Sequence, residues 1–181
     1  MFDVQRFVDE VKSANQDGAK AVREVLARAV ADPGAVLAGL GEPAEAGFQK
    51  LYQSDELTIL NVVWAPLMTL MPHNHNMWAA IGVYTGREDN IFWRRREDRI
   101  EAAGAKALCV KDVEPLGRDI IHSVTNPIER LTGAIHIYGG DFFNAPRSEW
   151  DPESLTERRY DVEKNMRLFK QANARFAAGA A

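Results

Sequence analysis

The order of hydrophobic and polar positions divides the 181-residue chain into three zones. In the first zone, residues 1–41, apolar side chains recur at intervals of three and four, which is typical of amphipathic helices. This pattern predicts one helix over residues 2–11 and a second from 19 to 30, and we expect one further short turn from 35 to 40. The Asp-Pro-Gly sequence at 32–34 marks the break between the last two.

The second zone, residues 48–145, is rich in β-branched and aromatic residues and is interrupted repeatedly by proline and glycine. Short apolar runs between turn residues predict β-strands. The predicted strands cover residues 57–64, 77–84, 90–93, 107–110, 120–124 and 131–138. Strands of this length and spacing are typical of a β-barrel or sandwich, so we expect a mainly β fold.

The third zone, residues 146–181, begins with turn residues and continues as a predicted amphipathic helix from about residue 161 to residue 178. The apolar face of this helix is predicted to contain Val162, Met166, Phe169 and Phe176, with Leu168 and Ala172 at its edge. We expect the terminal helices either to cover one barrel or to pair two, so a homodimer is compatible with the pattern.

Length and composition indicate a single globular domain over residues 1–181, with 46% hydrophobic residues available for its core. The net charge of −4 argues against nucleic acid as a partner, and two acidic residues interrupt the basic run at 94–99. No apolar stretch is long enough to cross a membrane. The first residues lack the pattern of a signal peptide, so we expect a cytoplasmic protein. The single cysteine, Cys109, cannot form an internal disulfide and is expected in the core.

Four histidines, His73, His75, His122 and His136, all lie in the β zone. Side chains two residues apart on a strand point to the same face, so His73 and His75 can face one metal ion. His122, on another predicted strand, is the candidate for the third ligand. Nitrogen-rich sites of this kind suit iron, zinc, copper or nickel. The alternative is that these histidines are structural residues of the barrel.

Two short motifs around the histidines resemble those of the cupin superfamily. The first is His73-x-His75 followed by Ala79 and Gly86, and the second is Pro115-x-Gly117 followed by His122 and Asn126. The resemblance covers residues 65–126 and implies a double-stranded β-helix barrel, or jelly roll, with a metal ion at its centre. Ala79 and Ala80 occupy the positions of the usual glutamate ligand, so the resemblance implies three neutral histidine ligands.

A three-histidine set resembles the thiol dioxygenase branch of that superfamily, which includes cysteine dioxygenase and 3-mercaptopropionate dioxygenase. In those enzymes a Ser-x-His-x-Tyr strand lies beside the iron. Here His136 and Tyr138 match this motif and Ala134 replaces the serine. The resemblance therefore implies catalytic roles for His136 and Tyr138. It implies no Cys–Tyr crosslink, because Ala80 stands at the position in question.

The resemblance also implies Fe(II) as the cofactor, with nickel, zinc or another divalent metal able to occupy the isolated protein. The implied reaction adds both atoms of O₂ to the sulfur of a small thiol, such as a thiol carboxylic acid, and yields a sulfinate. The family supplies an arginine or a glutamine from a strand before the histidine pair to bind the substrate carboxylate. Gln49 is the residue we expect in this role, and Gln53 is the alternative.

Two other functions use the same scaffold. One is a metal-dependent cupin oxygenase, lyase or isomerase that acts on a small molecule without a thiol. The other is a metal-binding or sensing cupin without catalysis. The His136 and Tyr138 pair favours thiol oxidation, whereas the missing serine and arginine keep the alternatives open, since function resides in the site rather than in the fold.

Overall fold

The computed structural model describes residues 2–179, which form four α-helices and eleven β-strands. Three helices come first, α1 (Val4–Asn15), α2 (Ala19–Val30) and α3 (Pro33–Leu40), and α4 (Val162–Ala177) comes last. The first six strands are β1 (Gly47–Gln53), β2 (Thr58–Trp64), β3 (Thr69–Asn74), β4 (Ala79–Thr85), β5 (Arg87–Arg95) and β6 (Ile100–Cys109). The remaining five are β7 (Val113–Leu116), β8 (Ile121–Thr125), β9 (Thr132–Tyr138), β10 (Ser148–Trp150) and β11 (Glu157–Arg159).

The first two helices form where the apolar periodicity predicts them, whereas residues 33–40 form a full eight-residue helix rather than a short turn. Local capping fixes the starts of α1 and α3. The Asp3 carboxylate accepts a hydrogen bond from the backbone N–H of Arg6 at 2.7 Å at the start of α1. Asp32 accepts one from the N–H of Ala35 at 3.0 Å, and Pro33 occupies the first turn of α3. Such caps satisfy backbone donors that have no partner within the helix.

The strands form two antiparallel sheets. The first has the order β1-β2-β9-β4-β7 and the second has the order β11-β10-β3-β8-β5-β6. Along the chain, successive strands alternate between the two sheets from β2 to β5 and again from β7 to β10. This connectivity is that of a double-stranded β-helix, or jelly roll. The predicted fold class, a mainly β barrel of this type with N-terminal helices and a C-terminal helix, is confirmed.

The first sheet is covered on both faces, which explains why every residue of β2 and β9 is buried. Ile59 and Ile137 pack under the N-terminal helices, whereas Leu60 and its neighbours on the opposite face look into the barrel. Gly82 on β4 allows the helices to approach closely, because a Cβ atom there would lie 2.8 Å from Cγ of Leu26 on α2. The helical layer therefore covers the outer face of the first sheet, and the inner face of that sheet lines the interior of the barrel.

An irregularity in β3 places the first histidine of the predicted site. Leu70 pairs with Val124 of β8, but three residues further on His73 pairs with His122, only two residues from Val124. The extra residue forms a bulge over Met71 and Pro72, and a bulge is a place where a proline, which has no backbone N–H, is tolerated. As a result, His73 and His122 lie directly opposite each other.

The structure corrects two predictions about side-chain positions. On α4 the buried residues are Asn165, Phe169 and Ala172, whereas Val162, Met166 and Phe176 are exposed. The face is rotated because the buried Glu149 carboxylate lies beneath the first turn and accepts a hydrogen bond from Nδ2 of Asn165. Cys109 is exposed rather than in the core, because β6 is an edge strand and Leu108 points inward instead.

Over residues 2–179, no helix has both the length and the apolar character needed to cross a bilayer.

Candidate metal centre

Three histidines predicted as metal ligands converge inside the barrel. His73 lies on β3, His122 lies opposite it on β8, and His75 follows the last residue of β3. Nε2 of His75 is 3.2 Å from Nε2 of His73 and 3.2 Å from Nε2 of His122. All three side chains are buried. The two-residue spacing and the opposing strand thus bring together the residues that the sequence indicated.

Hydrogen bonds on the far side of two imidazoles fix their tautomers. Nδ1 of His73 is 3.0 Å from the backbone carbonyl of Met71, and Nδ1 of His122 is 2.7 Å from Oδ1 of Asn90. Both partners are acceptors, so both Nδ1 atoms carry a proton and both Nε2 atoms direct a lone pair inward. This is the arrangement in which a histidine binds a metal ion.

Two of the three Nε2–Nε2 separations in the cluster match those of ligands on one metal ion. Two nitrogens at about 2.0–2.1 Å from one ion are about 2.8–3.4 Å apart at octahedral or tetrahedral angles. The separations of 3.2 Å on either side of His75 lie in this range. Without a cation, inward-facing lone pairs repel each other in a buried site. The three-histidine cluster is therefore able to hold a divalent metal ion.

Burial keeps the cluster neutral at physiological pH. It lowers the pKa of His73 from 6.5 to about 4, with a smaller opposing contribution from the hydrogen bond to Met71. Burial also lowers the pKa values of His75 and His122 well below 6.5, and the neighbouring histidines lower them further. Because a metal ion binds the unprotonated nitrogen, such a site needs no proton release near neutral pH.

The fourth histidine lies next to the cluster and has partners of its own. Nδ1 of His136 is 3.1 Å from the hydroxyl of Tyr138, two residues further along β9. Nε2 of His136 is 3.1 Å from Oε2 of Glu88 on β5. The ring of Tyr138 lies edge-on to that of His75, with 5.0 Å between their centroids. His136 and Tyr138 are thus placed beside the three histidines, as expected from the sequence.

Glu88 is a site residue that the sequence analysis missed. Its fully buried carboxylate accepts hydrogen bonds from Nε1 of Trp64 at 2.8 Å and from Nδ2 of Asn90 at 3.1 Å, besides its contact with His136. Burial alone would raise the pKa of Glu88, but His136 and these hydrogen bonds together lower it below its usual value. Glu88 therefore orients His136.

A cavity of about 60 Å³ opens onto the histidines. Its apolar walls include Leu60, Trp64, Leu70, Phe142 and Phe169, the last of these from α4. At roughly 10–15 Å³ for each water-sized probe, this volume accommodates a molecule of only a few non-hydrogen atoms. None of the described residues that line the cavity is an aspartate or a glutamate.

Arg147, which the sequence analysis also missed, places a buried cation in the cavity wall. Its guanidinium carbon lies 3.9 Å from the ring centre of Phe142 and 4.1 Å from that of Tyr160. Within residues 2–179 no carboxylate lies at salt-bridge distance from it, and its Nη1 atom has no hydrogen-bond partner. Burial lowers the pKa of Arg147, yet a guanidinium remains protonated.

The structure does not bring Gln49 to the cavity. Gln49 is exposed on β1 and pairs with Asn61 of β2, whereas the adjacent pair, Phe48 and Val62, lines the cavity. Successive side chains of a strand point to opposite faces, so Gln49 points away from the histidines. The alternative, Gln53, donates a hydrogen bond to Asp141 at 2.8 Å and does not line the cavity either.

Solved structures with a similar fold include an RmlC-like cupin family protein with a double-stranded β-helix fold from Methanocaldococcus jannaschii. It has a TM-score of 0.48 and 10% identity, covering 58% of this chain and 91% of that chain. A cupin superfamily protein from Desulfitobacterium hafniense DCB-2 has a TM-score of 0.46 and 17% identity, with 56% and 85% covered. A DMSP lyase from Ruegeria pomeroyi DSS-3 has a TM-score of 0.48 and 16% identity, with 60% and 53% covered.

No protein-family model and no curated protein matches the chain. The structural similarities, at 10% to 17% identity, concern the fold alone. The strand connectivity and the histidine cluster thus define a double-stranded β-helix protein with a buried three-histidine site that suits a divalent metal ion.

Proposed function

We propose that the protein is an Fe(II)-dependent dioxygenase that converts a small thiol carboxylate to the corresponding sulfinate. The observation that carries this proposal is the presence, in one small cavity, of three neutral histidines and a buried guanidinium that has no carboxylate partner among residues 2–179. The reaction balances without a further reductant, because both atoms of O₂ are added to the sulfur of one thiolate.

The neutral ligand set supports thiol chemistry. His73, His75 and His122 would hold the ion through Nε2 and add no negative charge, so the doubly positive centre favours an anionic thiolate. Iron supplies, when bound, the activation of O₂ and a binding position for sulfur. O₂ chemistry requires a redox-active ion, which argues against zinc, and we choose Fe(II) because the resemblance to the thiol dioxygenases implies it.

Arg147 supports a carboxylate on the substrate. A guanidinium binds a carboxylate through two parallel N–H···O bonds, and Nη1 of Arg147 is free to donate one. The same cation disfavours a substrate ammonium group, and none of the described lining residues is a carboxylate that could neutralise one. We therefore propose a mercaptocarboxylate without an amino group as the preferred substrate class.

His136 and Tyr138 control a proton at the edge of the cavity. Burial raises the pKa of the Tyr138 phenol, so its oxygen keeps its proton. Nε2 of His136 donates to the Glu88 carboxylate, and in the neutral imidazole Nδ1 accepts from the Tyr138 hydroxyl. The apolar walls exclude water, which strengthens these hydrogen bonds.

The proposal is tested with protein reconstituted anaerobically with Fe(II) and then mixed with O₂ and one of three thiols. The thiols are 3-mercaptopropionate, which has a carboxylate only, cysteamine, which has an ammonium group only, and cysteine, which has both. We expect O₂ uptake and sulfinate formation to be fastest with 3-mercaptopropionate and absent with cysteamine. The same mixtures without O₂ are the control.

Two results would overturn the proposal. Equal rates with all three thiols would show that Arg147 does not bind a substrate carboxylate. If an iron-loaded sample took up no O₂ in response to any thiol, the protein would not be a thiol dioxygenase. Product formation from a carboxylate substrate without O₂ would indicate a lyase or an isomerase in the same cavity.

A further inference from the structure

We infer that Glu88 is a positioning residue that sets the protonation pattern of two histidines at once, His136 directly and the metal ligand His122 through Asn90. Five side chains form one hydrogen-bonded chain in the order His122, Asn90, Glu88, His136, Tyr138. This inference rests on the proposed metal centre but is independent of the substrate.

The Glu88 carboxylate determines the direction of the hydrogen bonds that link it to His136, to Asn90 and, through Asn90, to His122. An ionised carboxylate has only acceptor atoms, so each group that faces Glu88 must donate. Oε2 faces Nε1 of Trp64, which can only donate, and Nε2 of His136, which must therefore carry a proton. Oε1 faces Asn90, so the Asn90 amide presents its NH₂ group to Glu88.

The orientation of the Asn90 amide determines which nitrogen of His122, the proposed metal ligand, carries the proton. Because its NH₂ group faces Glu88, its oxygen faces Nδ1 of His122, at 2.7 Å. Nδ1 of His122 must then carry the proton, which leaves Nε2 with the lone pair that a metal ion needs. Glu88 and Asn90 lie two residues apart on β5, so both reach inward from one face of the strand.

We expect the variant Glu88→Gln to reverse the direction of the hydrogen bond between Asn90 and His122. A glutamine offers one oxygen and one NH₂ group in place of two acceptors. Trp64 cannot turn its donor into an acceptor, so the oxygen of the glutamine is held on that side and the NH₂ group faces Asn90. Asn90 relieves this donor–donor contact by turning over, which directs its own NH₂ group at Nδ1 of His122. The His122 proton is then forced to Nε2, the ligand atom.

The double variant Glu88→Gln with Asn90→Asp restores the original polarity at the same total charge. The NH₂ group of the glutamine donates to one oxygen of the aspartate, and the other oxygen accepts from Nδ1 of His122. Tyr84→Phe is the matched control, because it removes another buried hydrogen bond of the barrel, from Tyr84 to Asn61 at 2.7 Å, outside the chain of five side chains.

The experiment uses full-length protein with ¹⁵N-labelled histidine, freed of metal, and reads the proton position on each imidazole by NMR. In the wild type we expect a proton on Nδ1 of both His73 and His122. In Glu88→Gln we expect the His122 proton on Nε2 and His73 unchanged, since the Met71 carbonyl holds it. Outer-shell changes of this kind weaken metal binding by about 10- to 100-fold. Fe(II) or Zn²⁺ titration should show this loss for the single variant and its recovery in the double variant.

Several outcomes would overturn the inference. These are a wild-type His122 protonated at Nε2, an unchanged His122 tautomer in Glu88→Gln, and a double variant that binds metal more weakly than the single one. The wild-type spectrum alone decides if Glu88→Gln does not fold. Failure of thiol oxidation would leave these spectra unaffected, so the two proposals fail separately.

Discussion

Replacing Arg147 with leucine tests the assignment of the carboxylate anchor. The change removes the guanidinium but keeps an apolar side chain in the cavity wall. Hydrogen bonds to a charged group contribute about 1.5–3 kcal/mol. At about 1.4 kcal/mol per factor of ten, kcat/KM for 3-mercaptopropionate should fall roughly 10- to 150-fold. Because the carboxylate is distant from the reacting sulfur, we expect the loss mainly in KM.

The same substitution should leave stability almost unchanged. Stacking of the guanidinium on Phe142 and Tyr160 contributes about 2 kcal/mol or more when it is desolvated. Its removal also relieves the cost of burying a cation without a counterion, which offsets that loss. We expect the free energy of unfolding, measured in urea, to change by less than about 1 kcal/mol.

The assay is steady-state O₂ uptake by iron-loaded protein with 3-mercaptopropionate and with ethanethiol, which lacks the carboxylate. Arg159→Leu, an exposed arginine on the neighbouring strand β11, is the matched control and should behave as the wild type. An equal loss with both thiols in Arg147→Leu, or no loss with either, would refute the reasoning.

Three further predictions concern the histidines and Tyr138. Replacing His122 with alanine should abolish stoichiometric metal binding, measured by elemental analysis after dialysis, and one retained ion per chain would show that another group is the third ligand. Tyr138→Phe leaves Nδ1 of His136 without its partner, so we expect kcat to fall roughly 100-fold with unchanged metal content, whereas an unchanged kcat would exclude a proton role for the phenol. In metal-free protein the pKa of His73 is about 4, against 6.5 in the unfolded chain. The unfolded chain therefore binds this proton first, and the free energy of unfolding should decrease by about 3 kcal/mol from this residue as pH falls from 6.5 towards 4. Urea titrations at several pH values measure this, and a stability that rose with acid would contradict it.

The three histidines of the cluster could be predicted from the sequence because their signal is local. A two-residue spacing on a strand and a third histidine on another strand predict a shared face, and the structure brings His73, His75 and His122 together. The bulge at Pro72, which puts His73 opposite His122, depends on the register between two strands and could not be predicted from either strand alone.

The residues that the sequence analysis missed owe their roles to contacts with residues that are distant in the sequence. Glu88 and Asn90 alternate with more exposed residues on β5, so the sequence indicates that they share one face of the strand. The run Arg-Glu-Asp-Asn is, however, also typical of a strand exposed to solvent. Only the fold brings Trp64 and His136 to Glu88. Arg147 carries no local signal, because it enters the cavity from the segment between β9 and β10.

Gln49, in contrast, was expected in the site but lies outside it. The choice between adjacent strand positions depends on knowing which face looks inward, and a difference of one residue reverses the answer. Phe48 takes the inward position and Gln49 the outward one. The role expected of Gln49 is therefore proposed for Arg147, which approaches the cavity from another direction.

The most direct test of the account is the fate of ¹⁸O₂ during a reaction of 3-mercaptopropionate with protein that carries one Fe(II) per chain. The account predicts that one O₂ is consumed per thiol and that both labelled atoms appear in the sulfinate. The His122→Ala protein should form no sulfinate. Iron-loaded wild-type protein that consumes no O₂ with this thiol, or whose product takes its oxygen from water, would contradict it.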